Sequence, residues 1–130
     1  MVICIIHTLV VSDLQYLYGE FSDEQITETI AAMHNEIHKL LLHKDKKITE
    51  IIFDSEDDFL TYFTALLTRF GGLNELLGEP PEMVALMSTL QAAYSEAISA
   101  TFNYKKFRKE ILDSHGYIKL ISKEVFKCQV

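Results

Sequence analysis

Positive charge is scarce over most of this chain. Residues 1–100 hold 5 Lys and Arg against 16 Asp and Glu, a balance of −11. Glycine and proline are also few, at five and two. Both disfavour helix interiors, glycine through backbone entropy and proline through its missing N–H, so their scarcity leans the chain toward long helices. The two cysteines, Cys4 and Cys128, stand near opposite ends with no zinc-ligand spacing. Two lone thiols fit a reducing compartment better than a disulfide scaffold. The apolar stretch at residues 1–11 (MVICIIHTLVV) is about half of the roughly 20 residues that cross a bilayer. No Lys or Arg precedes it, and Ser12-Asp13-Leu14-Gln15 is not a small-residue cleavage site. It reads as a core strand or a buried helix start, and the expected location is cytoplasmic.

What is present is an ordinary globular composition. The 130 residues are 48% hydrophobic and 24% charged, which argues against disorder and is enough for one domain over residues 1–130 with its own core. Three Ser residues stand three before a Gln or Asp, the pattern of a helix N-terminus: Ser12/Gln15, Ser22/Gln25 and Ser55/Asp58. After Ser22 the residues Ile26, Ile30, Met33, Ile37, Leu40 and Leu41 recur at threes and fours, one stripe of a helix running to about His43. The cations at 44–47 suit its C-terminus. Residues 48–53 read either as more helix or as a short strand. A second helix after Ser55 carries Phe59, Phe63, Leu66, Leu67 and Phe70, and Gly71-Gly72 is expected to end it, with a short helical turn over residues 73–77. Pro81 is placed to open a third helix, striped by Met83, Leu86, Met87, Leu90, Ala93, Tyr94, Ala97 and Ile98. Its small residues Ala92, Ala93, Ala97 and Ala100 would let a neighbour approach closely. The last helix is expected from about Asn103 to Ser114, ending at Gly116. Residues 117–121 (YIKLI) then form a strand, pairing with residues 2–6, or begin a terminal helix. The expected fold is therefore mainly α, a compact bundle of about four to five helices with room for a small sheet made from the N- and C-terminal segments.

Most chemistries find no support. His34 and His38 lie four apart, as zinc-binding pairs do, but Glu36 is one position away from the general-base place of a His-Glu-x-x-His helix. Both histidines flank the apolar stripe and read as boundary residues; His43 falls near the opposite face. No Glu-x-x-His occurs for a di-iron centre. Asp54, Glu56 and Asp58 alternate like a calcium loop, yet Phe59 and Ala65 stand where its Gly and bidentate Glu belong. These acids, with Asp57, suit a helix N-terminus instead. Asp113-Ser114-His115 cannot form a hydrolase triad, because neighbours on a helix point apart. No glycine pattern makes a phosphate loop. No cofactor and no metal is expected.

The last thirty residues reverse the charge. They hold 7 Lys and Arg against 3 Asp and Glu, a balance of +4 that brings the whole chain to −7. Tyr104, Phe107 and Ile111 share one helical face, and Lys105, Lys106, Arg108 and Lys109 spread over the rest. Either the aromatics dock on the core while the lysines are solvated, or the cations meet an acidic partner. The acidic remainder makes unaided duplex binding unfavourable.

Arg108, six intervening residues, His115, Gly116 and Tyr117 resemble the Arg-(four to six residues)-His motif of the HEPN ribonucleases and toxins. Those are small all-α domains that cut RNA without metal and usually pair two motifs across a dimer. The resemblance implies that Arg108 holds the scissile phosphate and His115 exchanges the proton of the 2′-hydroxyl, with Tyr117 beside them. A guanidinium fork and an imidazole titrating near neutrality are suited to that reaction. A helix C-terminus at His115-Gly116 explains the same residues without catalysis.

The primary expectation is a non-enzymatic protein-binding module: a small acidic adaptor, immunity protein or inhibitor. Its contact residues are Asp54, Glu56, Asp57 and Asp58 together with Lys105, Lys106, Arg108 and Lys109, and its expected partner is a protein such as a basic, nucleic-acid-binding one. The alternatives are the HEPN-like ribonuclease, and a homo-oligomeric phage or plasmid accessory protein.

Overall fold

The structure, a computed structural model, describes residues 23–129 and the side chains of residues 28–123. Among the described residues four helices follow one another: α1 Asp23–Lys44, α2 Glu56–Leu76, α3 Pro81–Ala97 and α4 Tyr104–Gln129. Each runs antiparallel to the next, as the cross-helix contacts require. Glu36 of α1 meets Arg69 of α2 while His43 meets Glu56. Phe63 meets Tyr94, and Thr89 meets Ser114 while Glu96 meets Asn103. His38 faces His115 and Lys44 faces Phe102, which closes the bundle between α1 and α4. The molecule is thus the expected mainly α bundle, and no strand occurs among the described residues.

Local chemistry explains where three of these helices start. The Ser55 hydroxyl accepts from the Asp58 N–H at 3.1 Å, and Glu56, Asp57 and Asp58 fill the positive first turn of α2. Pro81 opens α3 at the position where a missing N–H costs nothing. The Asn103 side chain accepts from the Lys106 N–H at 3.2 Å at the start of α4. Ser12 and Ser22 lie outside the described residues.

The core follows the stripes. Ile30, Met33, Ile37, Leu40 and Leu41 of α1 pack with Phe59, Phe63, Leu66 and Phe70 of α2, and α3 adds Met83, Leu86, Leu90 and Ala93. Of the small residues on α3, Ala93 is buried, whereas Ala92 is exposed. From α4 come Phe107, Ile111, Ser114, Ile118 and Ile121, at alternating spacings of four and three. Full burial of each of the large side chains is worth roughly 1.5–3 kcal/mol.

Three expectations need correction. Gly71-Gly72 does not stop α2, which continues to Leu76. Each glycine costs about 1 kcal/mol against alanine inside a helix, and the packing of Leu73, Leu76 and Leu77 beyond them outweighs that. The chain turns instead at Gly78 and Glu79, both with positive φ, where the Glu79 N–H reaches back to the Asn74 carbonyl at 2.8 Å. Gly116 likewise lies inside α4, so residues 117–121 are helix, not a strand. A sheet with residues 2–6 loses its C-terminal half, and residues 2–6 lie outside the described residues. Finally, residues 48–53 are neither helix nor strand but part of an irregular connection.

Candidate functional site

Three chain segments meet at one end of the bundle: the C-terminus of α1, the connection before α2, and the loop leading into α4. Between them is an open groove of about 350 Å³ lined by Lys44, Asp45, Lys46, Lys47, Phe102 and Tyr104. The turn after α1 builds its floor. Asp45 Oδ1 accepts from the Lys47 N–H at 2.9 Å, and the Asp45 carbonyl accepts from the Ile48 N–H at 3.1 Å. Lys44 is the hub. Its ammonium pairs with Glu56 and stands 4.8 Å from the centre of the Phe59 ring and 5.1 Å from that of Phe102. Such cation–ring contacts stabilise by about 0.5–1 kcal/mol at exposed sites. Burial works to raise the Glu56 pKa, but hydrogen bonds from Lys44 and His43 hold it below the usual carboxylate value. Burial, then the nearby Asp45 carboxylate, push the Tyr104 hydroxyl up.

The contact residues expected from sequence gather at this same end. Asp54, Asp57 and Asp58 are exposed at the start of α2; Glu56 is tied to Lys44 and His43. Lys105, Lys106 and Arg108 are exposed at the start of α4, and no ion pair involves them among the described residues. Lys109 pairs within its own helix with Asp113 at 3.0 Å, which raises its pKa. The basic segment therefore does not clamp α4 to an acidic core. Lys105 and Lys106 in a first turn that has no acid oppose the dipole of their own helix. Such a breach of a local rule is where function is to be sought. Exposed apolar side chains lie beside the charges: Ile51 is 81% exposed, and Ile48 and Phe102 are each 37% exposed.

The second constellation is one that sequence reasoning divided in two. His115 is only 8% exposed and is turned into the seam between α1 and α4, where it meets His34 and His38. Its ring stacks on that of His34 at 3.9 Å, and its Nε2 is 3.4 Å from His38 Nδ1. Burial first, then the two neighbouring imidazoles and Lys119, hold its pKa down at about 4. His115 is therefore neutral at pH 7. Arg108, two turns earlier on α4, is exposed, and Tyr117 is half-buried. The guanidinium of the Arg108–His115 motif is open to solvent while its imidazole is enclosed and engaged with α1.

The four-residue spacing of His34 and His38 was the visible part of this cluster; its third member is 77 residues from His38. His34 stacks on both other rings, whereas His38 and His115 are tilted by 39° and meet through their nitrogens. Among the described residues no three His, Cys, Asp or Glu side chains are arranged to hold a metal ion. No helix among them is long and apolar enough to cross a membrane. Comparison of the chain with known protein families, with characterised proteins and with solved structures finds no match.

Proposed function

We propose that this helical bundle is a non-enzymatic protein-binding module, an adaptor, immunity protein or inhibitor, that docks its partner on the groove end. The observation that carries the reading is the gathering there of exposed acids at the start of α2 and exposed cations at the start of α4, with exposed apolar side chains in the connections that lead into both helices. Apolar residues ringed by charges are the usual anatomy of an interface, whose core supplies affinity and whose rim supplies choice of partner and rate of encounter. The partner is a basic, nucleic-acid-binding protein. Its cations face Asp54, Asp57 and Asp58, and its own carboxylates face Lys105, Lys106 and Arg108. A net charge of −7 favours such a partner over nucleic acid itself.

The test is recovery of the partner from cell extract at low and at high salt. Wild type is compared with the double variants Asp57→Lys/Asp58→Lys and Lys105→Glu/Lys106→Glu. Wild-type recovery is expected to fall steeply between about 0.05 and 0.3 M salt, and both variants are expected to lose the partner. Recovery that ignores salt and survives both reversals rules the reading out.

A further inference from the structure

The buried apolar residues Ile30, Met33, Ile37, Leu40 and Leu41 of α1 and Phe107, Ile111, Ile118 and Ile121 of α4 belong to one core cluster. On the same two helices His34, His38 and His115 come together, with ring centres 3.9 to 6.0 Å apart. The Nδ1 of His115 is buried and has no hydrogen-bond partner among the described residues. A buried N–H without an acceptor is the rarer and costlier of the two possible orphans, so Nδ1 carries the lone pair and Nε2 carries the proton. Nε2–H of His115 then donates to Nδ1 of His38 across 3.4 Å.

This arrangement accommodates neutral rings only. A proton added to His38 turns its Nδ1 into a donor facing another donor. The contact must then break, or His115 must shift its proton to the Nδ1 that has no acceptor. A proton added to His115 is no better placed. The groups acting on that ring are His34 and His38 from α1 and Lys119 from α4; no titratable group of α2 or α3 and no carboxylate among the described residues does so. Toward α3, the Thr89 and Ser114 hydroxyls share a hydrogen bond of 2.8 Å, and just before α4 the Glu96 carboxylate accepts from the Asn103 N–H at 2.6 Å.

We propose that His34, His38 and His115 form a proton-operated catch: neutral, it holds α1 to α4, and uptake of a proton loosens that seam while the α3–α4 pair stays packed. Clusters of histidine are suited to such switching because their protonation falls in the mildly acidic range.

Amide hydrogen exchange at pH 7.5 and pH 5.0, in EDTA and corrected for the intrinsic pH effect, tests the catch, with NMR titration of each imidazole alongside. Amides of α1 around residues 33–41 are expected to exchange on the order of tenfold faster at pH 5.0, relative to those of α3, the effect of about one pKa unit. His115→Phe, which keeps a ring for stacking, and His38→Gln, at a half-buried position, are each expected to remove that acceleration. Equal acceleration in α1 and α3, acceleration that persists in His38→Gln, or a His115 ring that titrates at the ordinary histidine value overturns the proposal.

Discussion

The Nε2 of His115 lies 3.4 Å from the Nδ1 of His38, joining two helices at positions 77 residues apart. The unfolded chain has no such neighbour, so its imidazole at position 115 takes up a proton near pH 6.5, whereas the folded protein resists until about pH 4. The unfolded state therefore binds more protons between those two values, and stability falls as pH drops from about 6.5 toward 4. The loss from this group amounts to about 3 kcal/mol. Urea unfolding at pH 7.5, 6.0, 5.0 and 4.5 should show a falling midpoint for wild type and a flatter profile for His115→Phe. The depressed Glu56 carboxyl adds a separate loss, confined to lower pH, as it protonates.

Gly116→Ala is expected to stabilise the protein by about 1 kcal/mol, because position 116 is a helix interior and an added Cβ meets nothing within 4 Å. Gly72→Ala, in the same situation on α2, should behave alike. Thermal or chemical denaturation reads both. Destabilisation by Gly116→Ala would mean that residue 116 is a left-handed helix cap after all.

Ser55→Ala removes the side-chain acceptor for the Asp58 N–H and should cost about 1 kcal/mol. Denaturant midpoints at pH 7 suffice to measure it.

Lys105→Glu/Lys106→Glu should separate stability from binding. Acids in place of these lysines favour the α4 N-terminus by about 0.3–1 kcal/mol each at low salt. The variant is expected to unfold at higher denaturant while failing to recover the partner. A variant both less stable and fully binding contradicts the role given to these lysines.

Purified protein incubated with RNA in EDTA is expected to leave it intact, as is His115→Ala. The enclosed, neutral imidazole whose Nε2 already faces His38 is the reason. Cleavage by wild type that His115→Ala abolishes would instead favour the ribonuclease reading.

Helix starts were legible because their signals are local. Ser55 with its following acids, Pro81, and the periodic stripes of α1 and α3 each act within a turn or two. Helix ends are not legible from glycine alone, since Gly71, Gly72 and Gly116 all lie inside helices. Glycine breaks a helix when the chain needs positive φ, as at Gly78, and not where apolar residues on both sides keep one phase. Phe107, Ile111, Ser114, Ile118 and Ile121 carry their stripe straight over Gly116. That continuity was present in the sequence and was outweighed by the glycine. The histidine cluster was beyond such reading. His34 and His38 advertise a pair, but only the packing of α1 against α4 brings His115 to them.

The up-and-down order of the four helices also fixes where the chain can be handled. With α1 and α4 antiparallel and the groove at the C-terminus of α1, the far end of α4 lies at the opposite pole. Its 26 residues put Gln129 about 38 Å from Tyr104. A fluorophore, affinity tag or surface linkage attached there leaves the groove end facing outward, so immobilised protein presents the whole charged face to a partner in solution.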